Sequence, residues 1–464
     1  MKKIKNFFKT AGIFFLGNVF TKLVSFFLLP LYTSKIEPNA FGNYNLTISV
    51  MNIIVPICYL SIWDGIFRFS FDYEEEERKY QVFNIGFPVM IFGTIILIFI
   101  ILMINMLVDI DNVILVSIYG ILSAFQYFYT VIARSLKNNK LFVMSGCINT
   151  TIALIINVIL ITYLNLGVES FYISYIFGVL IQLILIEQHT KFLNKIEYQY
   201  CFDKLRQFLK FSVPLTLTAI SNWLLNGVTQ VFIVYFLGSY YNGLYSVANK
   251  FSSVLLLAIS VFQFAWNELA YDMSSIANRK LYYQRGISEI LKYSIVGLSL
   301  LIIAVKFIFP IMIDLKYVDS YPIVPILLIG STAGAYASFI GTIYLAEKKS
   351  SHLVFSTLLT GIFNVILTII AIKCYGFLGA VSSLSLALIL LVLQRIMDIN
   401  KLFSIKPEIN SLYPLSCLLV SIILYYLIDD IVINVLSTII VVIIVLLILK
   451  DSVINLLNEV KKND

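Results

Sequence analysis

The sequence contains a succession of apolar runs that are long enough to cross a lipid bilayer. A helix needs roughly 20 apolar residues to span the hydrocarbon core, since each residue advances it by about 1.5 Å. Only 13% of the residues are charged, against about 25% in soluble domains, and 60% are hydrophobic. The chain is therefore predicted to be an all-α integral membrane protein with many spans.

About fourteen membrane spans are predicted. They lie at residues 11–32, 43–63, 83–108, 112–134, 141–164, 169–187, 208–236, 243–270, 287–310, 321–345, 351–373, 376–398, 412–428 and 431–449. Polar segments follow the sixth and the twelfth span.

The distribution of basic residues predicts the orientation. If the N-terminus is cytoplasmic, the cytoplasmic segments hold 27 Lys and Arg residues, and the outer loops hold three, Lys35, Lys316 and Lys373. Cytoplasmic loops of membrane proteins carry such an excess of positive charge. Both termini are therefore predicted to be cytoplasmic.

An internal repeat relates the first six spans to the next six. Gly42-Asn43-Tyr44 opens span two, and Gly243-Leu244-Tyr245 opens span eight, 201 positions later. The tetrapeptide at residues 157–160 recurs at 364–367, shifted by 207 positions, and both copies precede a glycine-containing turn. An even number of spans separates the copies, so the two halves should have parallel topology.

The repeat predicts four parts of the chain. We expect an N-terminal lobe at residues 1–187, a cytoplasmic linker at 188–207, a C-terminal lobe at 208–398, and a helical hairpin with a cytoplasmic tail at 399–464. In membrane transporters built from parallel repeats, the substrate path usually lies between the repeats.

Several short segments resemble the bacterial polysaccharide repeat-unit flippases. They are LPLYT at 29–33, AFGNY at 40–44, FLG at 236–238, GLYSVANK at 243–250 and QFAW at 263–266. These flippases form the polysaccharide-transport branch of the multidrug, oligosaccharidyl-lipid and polysaccharide exporter superfamily.

The resemblance implies a fold and a function. It implies two six-helix lobes around a central cavity, in the bacterial plasma membrane. The implied activity is transfer of undecaprenyl-pyrophosphate-linked oligosaccharide to the outer leaflet, where it would be polymerised into O-antigen, capsule or another surface polymer. A polymerase and glycosyltransferases are the implied partners, alongside the lipid-linked oligosaccharide and membrane lipid.

Span one supplies the first candidate cavity residues. Asn18 and Lys22 lie on one face at helical spacing, and Lys22 is close to the midpoint of the span. A lysine at the helix centre costs about 2.5–3.5 kcal/mol on insertion scales, so it should face protein or a water-filled cavity. We expect Lys22 to contact the pyrophosphate or acidic sugars, or else to pair with a neighbouring helix.

Spans seven and eight supply the others. Asn222 and Asn226 are four residues apart on span seven, and Asn249 and Lys250 lie on span eight. These amides could line a wet cavity for sugars or join helices by hydrogen bonds. Lys250 could contact cargo or extend towards the membrane surface.

Three charged residues lie at the predicted cytoplasmic ends of spans. Arg68, Arg134 and Glu268 could capture the charged headgroup at the inner mouth, or could serve as interface anchors and loop ion pairs. No nucleotide-binding, nucleophile-elbow or zinc-protease motif is present, and the five cysteines are scattered. Neither enzymatic activity, a metal nor a cofactor is predicted.

Other functions compete with a repeat-unit flippase that works by alternating access. A peptidoglycan-precursor flippase or a drug or cation antiporter would share the fold. An antiporter should place a carboxylate at mid-depth, which the sequence does not clearly do. A membrane polymerase or glycosyltransferase would need an outer loop larger than any predicted here.

Overall fold

The computed structural model describes residues 26–196, 202–273 and 279–427, with positions 435, 438–439 and 441–444. Its α-helices are α1 (Leu29–Lys35), α2 (Pro38–Cys58), α3 (Ile62–Ser70), α4 (Glu76–Leu107), α5 (Val113–Ser135), α6 (Asn139–Thr162), α7 (Glu169–Thr190), α8 (Phe202–Asn226), α9 (Val228–Leu237), α10 (Ser239–Met273), α11 (Arg279–Met312), α12 (Val324–Ala346), α13 (Ser350–Phe403) and α14 (Leu415–Leu427). Short 3-10 helices lie at Leu193–Lys195, Leu315–Ile323 and Ile409–Leu412.

These helices confirm the predicted all-α membrane fold. Within the described residues, eleven helical segments are long and apolar enough to cross a membrane. The longest, α13, contains two predicted spans that meet at Gly376, whose φ of +58° is disfavoured for residues with a side chain. Spans two to thirteen thus coincide with described helices. Most of spans one and fourteen lies outside the described residues.

The described chain forms two compact units. The first unit comprises residues 35–234 and 238–243, and the second comprises 26–34, 235–237 and the described residues from 244 onward. These units follow spatial contacts, whereas the predicted lobes follow the order of the spans. Span seven consequently belongs mainly to the first unit, and the lobe boundaries stay a prediction.

Aromatic packing forms the core of the first unit. Phe83, Phe128 and Phe192 are completely buried, and the ring centroids of Phe128 and Phe192 are 5.4 Å apart. The Tyr80 hydroxyl donates to the Thr190 carbonyl oxygen at 2.6 Å. The start of the predicted linker, with Phe192, is therefore part of this core.

A buried arginine joins α12 to α13 in the second unit. Arg395 is 4% exposed and donates hydrogen bonds to the Ala337 carbonyl at 2.6 Å and to the hydroxyls of Thr357 at 2.8 Å and Ser356 at 3.1 Å. Each of these acceptors is uncharged. The guanidinium thereby bonds backbone and hydroxyl groups of both helices in the buried interior.

Helix α14 packs against α11 in the same unit. The Lys306 ammonium donates to the Leu424 carbonyl, and Ile303 packs with Cys417 and Leu424. The Lys306 ammonium is therefore part of the contact between α11 and α14.

The repeated asparagines have similar roles in the two units. Asn157 is buried, and its amide lies 3.4 Å from the hydroxyls of both Ser170 and Ser174. Asn364 is also buried, and it accepts from Thr368, which in turn bonds Ser383 across the α13 break. Asn157 thus contacts serine hydroxyls of the next span directly, whereas Asn364 is connected to Ser383 of the next span through Thr368.

Gly42 and Gly243 each lie against the short segment that precedes the other glycine. A Cβ on Gly42 would overlap the Ser239 carbonyl oxygen, and a Cβ on Gly243 would overlap the Pro38 carbonyl oxygen. The same shift of 201 positions that relates Gly42 to Gly243 also relates Pro38 to Ser239. Reciprocal contact of this kind is the signature of two-fold symmetry. The structure thus supports the parallel repeat.

Candidate functional site

The first unit contains a polar cleft of about 550 Å³ between α2–α3 and α8–α9. Amides, hydroxyls and aromatic rings dominate its walls. Its lining residues are Asn45, Ile48, Ser49, Asn52, Pro56, Ser61, Trp63, Asp64, Tyr127, Leu215, Ala219, Asn222, Trp223, Asn226, Gly227 and Gln230.

Helical periodicity brings the amides to the cleft. On α2, Asn45 and Asn52 are seven residues apart and therefore share a face. Asn222, Asn226 and Gln230 follow at four-residue steps along α8 and α9. The predicted residues Asn222 and Asn226 are both exposed in the cleft. Gln230 contributes a side-chain oxygen that has no hydrogen-bond donor in the described part of the chain.

Direct hydrogen bonds hold the two walls together. The Trp223 indole N–H donates to the Ser49 carbonyl at 2.7 Å, and the Ser49 hydroxyl donates to the Gly227 carbonyl at 3.2 Å. The Thr216 hydroxyl donates to that of Ser61 at 3.2 Å. The walls therefore have a defined spacing, and the amides of Asn45 and Asn226 donate to the carbonyls of Phe41 and Asn222 within their own walls.

Irregular backbone lies along both walls. Pro56 cannot donate a backbone hydrogen bond, which frees the Asn52 carbonyl, and Ser61 has a left-handed φ of +46° between α2 and α3. On the other wall, Gly227 separates α8 from α9, although its N–H still bonds the Trp223 carbonyl at 2.7 Å. Irregular backbone at membrane depth is tolerated where it is buried in protein or lines a cavity.

Two aromatic rings and one carboxylate lie at the α3 end of the cleft. The rings of Trp63 and Tyr127 stack with centroids 5.1 Å apart; Trp63 is 7% exposed and Tyr127 is 52% exposed. Asp64 is exposed and makes no salt bridge within 4 Å with a described residue, although the positive charge of Arg134 attracts it. Asp64 is the single charged residue in the described lining.

The predicted mouth residues separate into two groups. Arg134 lies over the rings of Phe67 at 4.5 Å and Phe142 at 5.6 Å, next to the α3 end of the cleft. Arg68 is exposed on α3 and forms a 2.7 Å salt bridge with Asp72. Glu268 is half-buried on α10, in the second unit.

The other predicted cavity residues do not line this cleft. Asn249 and Lys250 are half-buried on α10 in the second unit, where the Asn249 carbonyl accepts from Ser253 at 3.1 Å. Lys250 makes no hydrogen bond or ion pair with a described residue. Asn18 and Lys22 lie outside the described residues, so their predicted roles stay predictions.

Sequence reasoning missed several residues of the cleft. The stripe of Asn45, Ser49 and Asn52 on α2 could have been found from its spacing of four and three residues. Asp64 could have been found as a carboxylate that directly follows an apolar run and a tryptophan. No sequence signal connects Tyr127 to them.

A second polar cavity of about 710 Å³ lies elsewhere in the first unit. It includes the start of α2, the α4–α5 and α6–α7 connections and Ser239. Its charged residues are Asp109, Asp111 and Glu169. Asn43 donates to Asp111 at 3.3 Å, and Asn112 donates to Glu169 at 3.1 Å. Among the described residues, no group of His, Cys, Asp and Glu is arranged to hold a metal ion.

Comparison with known families gives one match. The sequence model of the family described as "Polysaccharide biosynthesis protein" matches residues 7–266, more than half of the chain. This segment includes all residues of the cleft. No curated protein matches the chain.

Several solved structures share the fold. The lipid II flippase MurJ, in an inward closed conformation, superposes with a TM-score of 0.69 at 16% identity, covering 96% of this chain and 100% of its own. An inward-facing multidrug resistance MATE family transporter of the MOP superfamily gives 0.63 at 13% identity, covering 83% and 99%. A mutant of the Vibrio cholerae MATE transporter VcmN gives 0.56 at 17%, covering 86% and 97%.

Proposed function

The chain belongs to the polysaccharide biosynthesis protein family, and we propose that it is a flippase for lipid-linked oligosaccharide. The cargo is an undecaprenyl-pyrophosphate-linked repeat unit, moved from the inner to the outer leaflet of the bacterial plasma membrane by alternating access. Both termini are cytoplasmic in this proposal, and the product feeds the synthesis of a surface polysaccharide. The multi-pass helical fold, shared with MurJ and MATE transporters, is compatible with it.

The polar cleft is the observation that carries the proposal. Asn45, Asn52, Asn222, Asn226 and Gln230 all line it. An amide both donates and accepts hydrogen bonds, so a set of amides matches the hydroxyl groups of sugars, which do the same. Polar groups inside a membrane protein are costly and commonly functional. The glycan would occupy the cleft while the polyprenyl chain stays in lipid.

The cations would hold the other part of the cargo. Arg134 is close to the α3 end of the cleft, at the side predicted to be cytoplasmic, and Arg68 is on the same short helix as Asp64. Arginine suits phosphate because its guanidinium can donate two parallel hydrogen bonds. Lys22 and Lys250 stay further candidates for the pyrophosphate, and Glu268 for the inner mouth. Glycosyltransferases would act before this step, and a polymerase would act after it.

Asp64 favours a drug or cation antiporter as the second candidate. A carboxylate without a salt bridge to any described residue, in a cleft whose other described lining residues are neutral, could bind a cationic compound or a coupling ion. Uptake of an organic cation by proteoliposomes, without movement of lipid-linked oligosaccharide, would favour this second function.

Proteoliposomes that contain a fluorescent lipid-linked oligosaccharide test the proposal. Exchanging Asn222 and Asn226 together for leucine should slow its transfer about thirtyfold, because two lost hydrogen bonds of about 1 kcal/mol each amount to about 2 kcal/mol. Asn400→Leu is the control, since Asn400 is exposed at the end of α13. Wild-type vesicles that never transfer the oligosaccharide, although the protein is folded, would contradict the proposed function.

A further inference from the structure

The two polar cavities described above contain negative charge and, among their described lining residues, no positive charge. The cleft contains Asp64, and the second cavity contains Asp109, Asp111 and Glu169. The whole chain has a net charge of +7. The cavities therefore have the opposite sign to the protein, which is not what a general affinity for anionic cargo requires.

Among its described lining residues, the cleft also has none of the groups that recognise phosphate most strongly. Arginine, lysine and open helix N-termini are the usual partners of phosphate oxygens. The described lining offers amides and hydroxyls, and at Gly227 the backbone hydrogen bonds continue across the α8–α9 break. These groups suit sugar hydroxyls. The half-exposed Tyr127 ring, supported by Trp63, adds a flat apolar surface for the C–H face of a sugar ring.

Asp64 adds a constraint on the charge of that sugar. Its carboxylate accepts hydrogen bonds and donates none, so it can bind a hydroxyl or an ammonium group but would repel another carboxylate. Arg134 attracts Asp64 but lies against Phe67 and Phe142 and is not part of the cleft lining. The charge of Asp64 is therefore not cancelled by a salt bridge with any described residue.

We propose that this cleft binds the glycan part of the cargo, and that Asp64 selects repeat units that are uncharged or contain an amino group over units that contain a carboxylate. This proposal rests on the flippase function proposed above and specifies its substrate class. The pyrophosphate and the polyprenyl chain are common to all such cargo, so selection has to act on the sugars.

Two lipid-linked oligosaccharides test the proposal. They share the polyprenyl pyrophosphate and the number of sugars, but one contains a 2-amino-hexose and the other a hexuronic acid. Wild-type proteoliposomes should transfer the amino-bearing cargo about tenfold faster, since a cleft with charge of one sign raises the rate for the opposite charge. Asp64→Asn should bring the ratio of rates close to one, and Asp64→Lys should invert it.

Glu75→Gln is the matched control. It removes one negative charge from an exposed residue that pairs with Arg78 at 2.9 Å, and it should leave the ratio of rates unchanged. Equal wild-type rates, a preference for the uronic acid, or an Asp64→Asn variant with the wild-type ratio would each overturn the selectivity while leaving the flippase function standing. Failure of folded wild-type protein to move either cargo would overturn the flippase function itself and, with it, the selectivity. If the Asp64 variants do not fold, the wild-type ratio decides.

Discussion

Trp63 in the first unit and Trp266 in the second are each followed by a short polar side chain. The two positions differ by 203, close to the shifts of the sequence repeat. Asp64 is exposed in the polar cleft. Asn267 instead accepts hydrogen bonds from Gln263 at 2.8 Å and Thr342 at 2.7 Å, while the Trp266 indole donates to the Phe339 carbonyl at 2.9 Å.

The cavities differ in the same way. The second unit has an apolar pocket of about 120 Å³ lined by residues such as Leu255, Ile259 and Phe262, against about 550 Å³ of polar cleft in the first. At this pair of positions the roles of the two units are divided. Asp64 lies in a polar cleft, whereas Asn267 joins α10 to α12 by a hydrogen bond.

In the second unit, substitution of Arg395 is expected to have the largest effect on stability. Arg395→Ala removes the charged donor of the hydrogen bonds to the Ala337 carbonyl and to the hydroxyls of Ser356 and Thr357, and hydrogen bonds to charged groups contribute about 1.5–3 kcal/mol each. We expect a loss of about 4 kcal/mol of stability, seen as a large fall in the unfolding temperature in detergent. An Arg395→Ala protein that is stable but inactive in transport would mean that the second unit also has a direct functional role.

The repeated glycines should give the next largest effect, and a similar one in both copies. Gly42→Val and Gly243→Val each place a side chain into a carbonyl oxygen of the partner segment, so we expect each to cost about 3 kcal/mol. Gly297→Ala is the control, because a Cβ there meets nothing within 4 Å and helix propensity improves by about 1 kcal/mol. Thermal unfolding of the three variants measures this. A large effect at one glycine alone would break the symmetry.

The helices and the internal repeat could be predicted from the sequence. Hydropathy predicted the described helices, since bilayer thickness leaves few alternatives. The repeat was visible because Gly42 and Gly243 have to be glycine at a close backbone approach. The sequence did not predict that spans seven and eight belong mainly to different compact units, because such units depend on spatial contacts rather than on chain order.

The site was predicted less completely. Asn222 and Asn226 were predicted as cavity residues because their four-residue spacing marks one helix face, and both lie in the cleft. Their partners on α2 and α5 were missed, since the sequence does not show which helices become neighbours. Asp64 was passed over because its place in a cleft depends on the left-handed turn at Ser61.

In the first unit, Asp64→Asn should slow transport while leaving the stability of the protein nearly unchanged. Asp64 is exposed and makes no salt bridge with a described residue, so its loss should change the unfolding free energy by less than about 0.5 kcal/mol. Transfer of an amino-bearing cargo should nevertheless slow several-fold. Parallel measurements of unfolding and transfer check this, and an equal loss in both would assign Asp64 a structural role.

Asn267→Asp should give the smallest effect on transport. The Asn267 side-chain oxygen that accepts from Gln263 and Thr342 is retained in aspartate, so we expect a cost of about 1 kcal/mol and no change in cargo preference. The same pair of assays applies. A new preference for amino-bearing cargo would show that the second unit also contacts the glycan.

Cargo protection of single cysteines tests the central claim most directly. In a background without the five native cysteines, Asn226→Cys and Asn267→Cys are each labelled with a thiol reagent, with and without lipid-linked oligosaccharide. The division of roles predicts that cargo slows labelling at position 226, in the cleft, and leaves position 267 unaffected. Protection at position 267 with none at position 226 would contradict it.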